Sequence, residues 1–189
     1  MNIWFHNSFF RQVSVLLCSL SMLATATGAA AEQQARQEAL FQLTQDIRAE
    51  FADIPHWDLP QLQQHLSDVV LIDVREPKEF AVSRIPGAHN ITERSALAAF
   101  VRQQDKPVVL YCSVGWRSAE LTAYLHELNQ TQVVNFAGSI FAWGNSGGAL
   151  EDELGPVKRV HPYNWFWGWR YLSSELHATK ARTSDALSK

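Results

Sequence analysis

Cysteine is nearly absent from this chain: 189 residues carry two, Cys18 and Cys112. That excludes the disulfide-dense scaffolds of small secreted proteins. Beyond His6, histidine is scattered at positions 56, 65, 89, 126, 161 and 177 without a close pair, so the spacing of a metal site is missing and no metal is expected. Basic residues show no excess. Lys and Arg number 16 against 19 Asp and Glu, a formal net charge of −3, which excludes the electrostatic footprint of a nucleic-acid binder. Internal repeats are also lacking, which removes solenoids and propellers. Charge itself disappears from one stretch, because Arg11 is the only charged side chain before Glu32.

That stretch has a recognisable layout. Gln12 to Ala31 is uncharged, its apolar centre runs from Val13 to Leu23, and it ends in Ala29-Ala30-Ala31. A basic start, an apolar middle and a small-residue end make a secretory signal peptide, so residues 1–31 are read as one and the chain as exported to the periplasm. The alternative is an uncleaved inner-membrane anchor. The length would just allow it, although Ser, Thr and Gly dilute the second half. Cys18 follows Leu16-Leu17, without the small residue expected before a lipidated cysteine. Removal of the leader leaves one cysteine, Cys112. Exported chains use cysteines in pairs, so a lone one is either buried and inert or kept for its reactivity.

The whole chain is 47% hydrophobic and 19% charged, as for one globular domain. Glu32 to about Ile54 is polar and helix-favouring, with Leu40, Leu43 and Ile47 on one face. Pro60 to Leu66 reads as a short helix and Val69 to Val74 as a strand covered on both faces. Pro77 to Val82 is a helical turn, and Arg84 to Ala88 a turn before a short strand at His89 to Ile91. A helix follows over Ser95 to Arg102, with Ser95 as candidate cap. Val108 to Tyr111 is the next buried strand. Leu121, Tyr124, Leu125 and Leu128 then mark an amphipathic helix. Val133 to Phe136 is a strand, and Ser139 to Trp143 starts another helix. Strands alternating with helices imply an α/β fold with a central parallel sheet flanked by helices. The organisation expected is a helical extension over 32–56, a domain over 57–150, a Trp-rich segment over 151–177 and a disordered tail over 178–189.

In such sheets ligands collect beyond the carboxyl ends of the strands. Cys112 stands at such an end, in "YCSVGWRSAE", with a helix N-terminus behind it. Unpaired N–H groups and a partial positive charge at that terminus stabilise a thiolate. The position argues for a nucleophile.

Four segments resemble a single-domain rhodanese, in the family's order and spacing. "LIDVREPKEF" at 71–80 is similar to its aspartate-x-arginine element, and "RIPGAHNI" at 84–91 to its Ile-Pro-Gly-Ala turn. "VVLYCSVGWRSAELTAYL" at 108–125 is similar to its active-site strand, loop and helix, and "VVNFAGSIFAW" at 133–143 to its closing strand and tryptophan helix. Two departures stand out: Ser83-Arg84 where a Gly-His pair is common, and Ser139 where a second glycine is common.

The resemblance implies a sulfurtransferase. Cys112 would attack the outer sulfur of a donor such as thiosulfate, and a thiol or cyanide would then take that sulfur from the persulfide. Ser113, Val114, Gly115, Trp116, Arg117 and Ser118 would curl around it with their backbone N–H groups inward, and Gly115 permits the conformation. This chemistry needs no cofactor. Arg117 is read as a clamp for the donor anion, with pairing to a nearby carboxylate as the alternative. Asp73 and Arg75 are read as an ion pair supporting the loop. Cysteine phosphatases place five residues between Cys and Arg, whereas here there are four, so the tighter loop suits a sulfur atom better than a phosphoryl or arsenate group. Besides a phosphatase or arsenate reductase, the other alternative is a non-catalytic module that binds a protein partner.

"VHPYNWFWGWRYL" at 160–172 is the unusual segment. Three tryptophans, one phenylalanine and two tyrosines fall within nine residues. It reads either as a docking patch for a protein or membrane surface or as a segment folded back over the core, and the second is expected because large exposed aromatic patches are rare.

Overall fold

The computed structural model describes residues 6–183, with side chains from Gly28 onward. Parts of the expected leader and tail, residues 1–5 and 184–189, therefore lie outside the described residues. The chain divides into two units, residues 1–35 and 36–189. In the first, the backbone from His6 is helical. The helix α1 has the bounds His6–Glu50, so it begins before the expected Glu32 and stops before Ile54. Gln12 to Thr27 contains no glycine or proline to interrupt it, and Ile54 precedes Pro55, a position that disfavours the α region. No helix among the described residues is long and apolar enough to cross a membrane.

The second unit continues with β1 (His56–Trp57), α2 (Leu59–His65), β2 (Val70–Asp73), α3 (Pro77–Val82), β3 (His89–Asn90) and α4 (Arg94–Val101). Then come β4 (Val108–Tyr111), α5 (Trp116–Glu127), β5 (Val133–Phe136) and α6 (Ser139–Asn145). A hairpin of β6 (Leu150–Asp152) and β7 (Gly155–Val157) and the helix α7 (Trp165–Tyr171) complete it. Five strands form one sheet in the order β1-β5-β4-β2-β3, and every pairing is parallel. The α/β class expected from the alternation is the one observed.

Burial explains why the strands read as unbroken apolar runs. All four residues of β4 and of β5 are buried, because helices cover both faces. On one face Leu71, Val109, Tyr111 and Phe136 pack with Leu40 of α1, Leu62 of α2, and Ile140 and Phe141 of α6. On the other, Ile72, Val108, Leu110 and Val133 pack with Leu97 and Val101 of α4 and Leu121 and Leu125 of α5. Each large side chain removed from water contributes roughly 1.5–3 kcal/mol.

Several expectations need correction. Glu93, not Ser95, caps α4, its carboxylate accepting the Ala96 N–H at 2.7 Å. Leu128 is exposed rather than on the buried face, because α5 ends at Glu127 and Leu128 is its cap. The strands β1, β6 and β7 hold two or three residues each, too few to show a period. Ala178 and Arg182, both within the expected tail, are bonded to the domain. The Ala178 N–H donates to the Val160 carbonyl at 3.1 Å, and Arg182 places two N–H groups on Asp152 at 2.7 Å each.

The Trp-rich segment folds back on the domain. Asn164 caps α7 by accepting the Trp167 N–H at 3.1 Å. Asn145 of α6 donates to the Tyr171 carbonyl at 2.8 Å and accepts the Ser173 N–H at 2.9 Å. Gly168 lies so close to Pro162 that an added Cβ would stand 2.4 Å from the proline Cβ, so no larger residue lets α7 seat as it does. Trp165, Phe166 and Trp169 face outward and are exposed.

Candidate active site

Cys112 follows the last residue of β4, in line with the ends of β2 and β5. The next three residues form a tight loop, and Gly115 opens α5 with φ 114°, a conformation that glycine adopts at little cost. The close approach of α6 adds a second constraint. A Cβ on Gly115 would lie 3.3 Å from the Gly138 nitrogen and 3.4 Å from the Phe136 oxygen.

The loop's polarity follows from where its carbonyls go. Those of Val114, Cys112 and Ser113 accept N–H bonds from Gly138 (3.1 Å), Ile140 (3.2 Å) and Phe141 (3.1 Å). The start of α6 is thereby supplied with acceptors, while the N–H groups of Gly115 and Ser118 turn to the Cys112 sulfur. Gly115 donates its N–H to the Cys112 sulfur at 3.2 Å, and the Ser118 hydroxyl stands 3.6 Å from the same atom. Ser139 holds the cysteine from behind: its hydroxyl accepts the Cys112 N–H at 3.0 Å and donates to the Phe136 carbonyl at 2.9 Å. Its φ of 50° lies in the left-handed region, consistent with a position where glycine is common.

Charge arrives from α3. Glu79, fully buried, sits 3.2 Å from Arg117 and accepts the Ser113 hydroxyl at 3.2 Å. Arg117 also donates to the Ser113 oxygen at 3.3 Å, and its guanidinium carbon lies 5.0 Å from the centre of the Tyr163 ring. Arg117 thus has the carboxylate partner that was the alternative to a free anion clamp. Burial by itself pushes the Cys112 thiol up. The Arg117 charge, the N–H groups of Ser118 and Gly115 and the Ser118 hydroxyl outweigh it, so the thiol is held below its ordinary range.

Asp73 and Arg75 form a fully buried ion pair at 2.6 Å. Arg75 also donates to the Ser83 carbonyl at 2.6 Å. Its side-chain hydrogen bonds fix the end of β2 to the end of α3, the helix that carries Glu79. Asn90 completes the frame by donating to the Asp73 and Arg75 carbonyls at 2.9 and 2.8 Å.

A cleft of about 430 Å³ opens over the sulfur, lined by Cys112, Ser113, Val114, Trp116 and Arg117 and by Leu43, Tyr163 and Trp167 from outside the loop. Among the described residues, no three His, Cys, Asp or Glu side chains converge to hold a metal ion.

Residues 58–146 match the rhodanese-like domain model. A sulfurtransferase of Allochromatium vinosum is 37% identical over 98 residues, which cover 48% of this chain and 88% of that protein. The chain belongs to the rhodanese-like family. A thiosulfate sulfurtransferase of Actinobacillus succinogenes is 31% identical over 101 residues, 52% of this chain and 86% of its own. Among solved structures, a thiosulfate sulfurtransferase from Pseudomonas aeruginosa aligns with a TM-score of 0.50 at 20% identity, covering 67% of this chain and 24% of that one, and shares the fold.

In the rhodanese-like domain Cys112 lines one cleft with Ser113, Val114, Trp116 and Arg117 of the expected loop residues, Gly115 and Ser118 meet its sulfur without lining the cleft, and Asp73 and Arg75 belong to the frame. Glu79, Ser139, Leu43, Tyr163 and Trp167 were not anticipated there. Glu79 stands within the "EPKEF" motif, and Ser139 was visible as a departure from glycine. Nothing local to Leu43 or Trp167 connects either to the cysteine.

Proposed function

We propose that this chain is an exported sulfurtransferase that moves a sulfane sulfur from a donor such as thiosulfate to a thiol or cyanide through a persulfide on Cys112. The observation that carries the reading is the buried Cys112 sulfur facing the Gly115 N–H and the Ser118 hydroxyl while the loop's carbonyls are bonded to α6. In the first half-reaction the thiolate attacks the outer sulfur of the donor. The bond between that sulfur and the rest of the donor breaks, and its electron pair leaves with sulfite when thiosulfate is the donor. The terminal persulfide sulfur carries the charge into the cleft, where further loop N–H groups and Arg117 meet it. In the second, an acceptor thiolate or cyanide attacks that outer sulfur and Cys112 departs as the thiolate. The lowered thiol pKa serves both halves, since it favours the thiolate that attacks and eases its departure as a leaving group.

Thiosulfate treatment of the reduced protein is expected to add the mass of one sulfur atom, and cyanide to remove it. A folded, reduced protein whose mass never changes with any sulfur donor would point instead to a non-catalytic module.

Export is proposed from the uncharged segment Gln12 to Ala31 and its alanine end. Protein isolated from the native host is expected to start near Glu32, and an intact Met1 on soluble cytoplasmic protein would overturn this.

A further inference from the structure

The walls of the cleft do not match an inorganic dianion. Arg117 supplies its cation, and that guanidinium is already engaged by Glu79, Ser113 and the face of Tyr163. Most of the rest is apolar: Leu43, Val114, Trp116, Tyr163 and Trp167. Moving a doubly charged ion from water into such surroundings is costly when the local positive charge is already balanced. An apolar group entering the same space gains by leaving water, and aromatic walls with a few polar groups at one end are the usual make-up of an organic-ligand site.

The apolar part is supplied largely from outside residues 58–146, the family's own span. Leu43 comes from α1, and Tyr163 and Trp167 from the folded-back C-terminal segment. This wall is preformed. Tyr163 holds a left-handed φ of 64°, unusual for a bulky residue, and is fixed there by its N–H on His161 Nδ1 at 3.1 Å and by its stacking on Arg117. Trp167 is wedged against Tyr171, ring centres 5.2 Å apart, on a helix seated by Gly168. A wall already in place need not be ordered when a ligand binds.

We infer that this cleft selects organic carriers of sulfane sulfur, in which the transferred atom is borne by an apolar group about one ring in size, over inorganic anions. The inference rests on the sulfurtransferase reading and names its substrate class. The chemistry is unchanged. With a thiosulfonate, R–SO₂–S⁻, the Cys112 thiolate bonds to the terminal sulfur, the S–S bond breaks, and its electron pair leaves as the sulfinate R–SO₂⁻. With an organic persulfide the leaving group is the thiolate RS⁻. Charge balances in both cases, and no external oxidant or reductant is needed.

Persulfide formation should be timed with benzenethiosulfonate, methanethiosulfonate and thiosulfate, each rate divided by that of the same donor with a free small thiol to remove intrinsic reactivity. The first two carry the same charge and the same kind of leaving group and differ only in the apolar part. The corrected kcat/KM is expected to be at least about tenfold higher for the phenyl donor than for the methyl donor, with thiosulfate below both. Trp167→Ala should bring the phenyl-to-methyl ratio towards one, while Trp165→Ala, an exposed neighbour on α7 outside the cleft, should leave it as in the wild type. A wild-type ratio below about threefold overturns the inference and leaves the sulfurtransferase reading standing, whatever the variants do. No persulfide with any of the three donors overturns both.

Discussion

Cys112→Ser is expected to take up no sulfur from thiosulfate and to lose turnover to background, a fall on the order of 10⁴-fold or more, as for other nucleophile deletions. The substitution is close to isosteric, so circular dichroism and melting should report a folded protein. What disappears is an atom whose ionisation the loop favours. The loop lowers a thiol from an ordinary value of about 8.5, but no comparable set of contacts brings a hydroxyl into the working range. The same argument fixes the pH dependence. Because the folded thiol sits below its ordinary range, activity should be lost as pH falls through that lowered value and the thiolate is reprotonated. Arg117→Ala removes the charge that favours the anion and leaves the Glu79 carboxylate unpaired nearby; both effects raise the thiol pKa. The acid limb, read by alkylation of Cys112 across pH, should therefore move to higher pH. Persistent turnover in Cys112→Ser would remove the nucleophile from the mechanism, and an unmoved limb in Arg117→Ala would assign that residue to packing alone.

Asp73→Asn should be the most damaging substitution away from the cysteine. The variant keeps the volume but leaves the Arg75 guanidinium buried without its counter-charge. Breaking one side of a buried ion pair costs about 3–5 kcal/mol. Arg75 has little in reserve, since its Nη1 already lacks a partner and its remaining side-chain bond is to the Ser83 carbonyl. For a unit of this size the loss corresponds to a fall in Tm of roughly 10 °C or more. Well below the new Tm the alkylation profile of Cys112 should stay close to wild type, because the pair's hydrogen bonds run to the end of α3 and not to the cysteine sulfur. A Tm within about 2 °C of wild type would show that the pair is not a stabilising frame. A shifted alkylation profile at full folding would give it a direct part in setting the thiolate.

What could be read along the chain are relations between near neighbours. The run Val108 to Tyr111, the cysteine after it, Gly115 and the apolar face carrying Leu121 and Leu125 lie within one strand–loop–helix unit, whose grammar is a change of period punctuated by a glycine. The Asp73–Arg75 pair, which the family resemblance implied, is likewise a relation between near neighbours, two residues apart. The parallel sheet was legible too, because strands buried on both faces leave continuous apolar runs.

The short elements escaped because two or three residues carry no period, as at β1 and the β6–β7 hairpin. Glu93 displaced Ser95 as a cap because α4 starts at Arg94, two residues earlier than a cap at Ser95 would allow, where the Glu93 carboxylate reaches the Ala96 N–H. The partners of the loop escaped for a different reason. Glu79 reaches Ser113 across 34 positions of sequence, and Ser139 reaches Cys112 across 27; each is set by the way α3 and α6 meet the ends of adjacent strands. The sequence alone determined that Cys112 would stand at a strand's carboxyl end before a helix, since β-branched runs, a glycine and an amphipathic stretch specify that unit locally. Only the tertiary structure decided that Glu79 would balance Arg117 and that Leu43, Tyr163 and Trp167 would close an apolar cleft over the sulfur, because packing between distant segments leaves no periodic signal in any one of them.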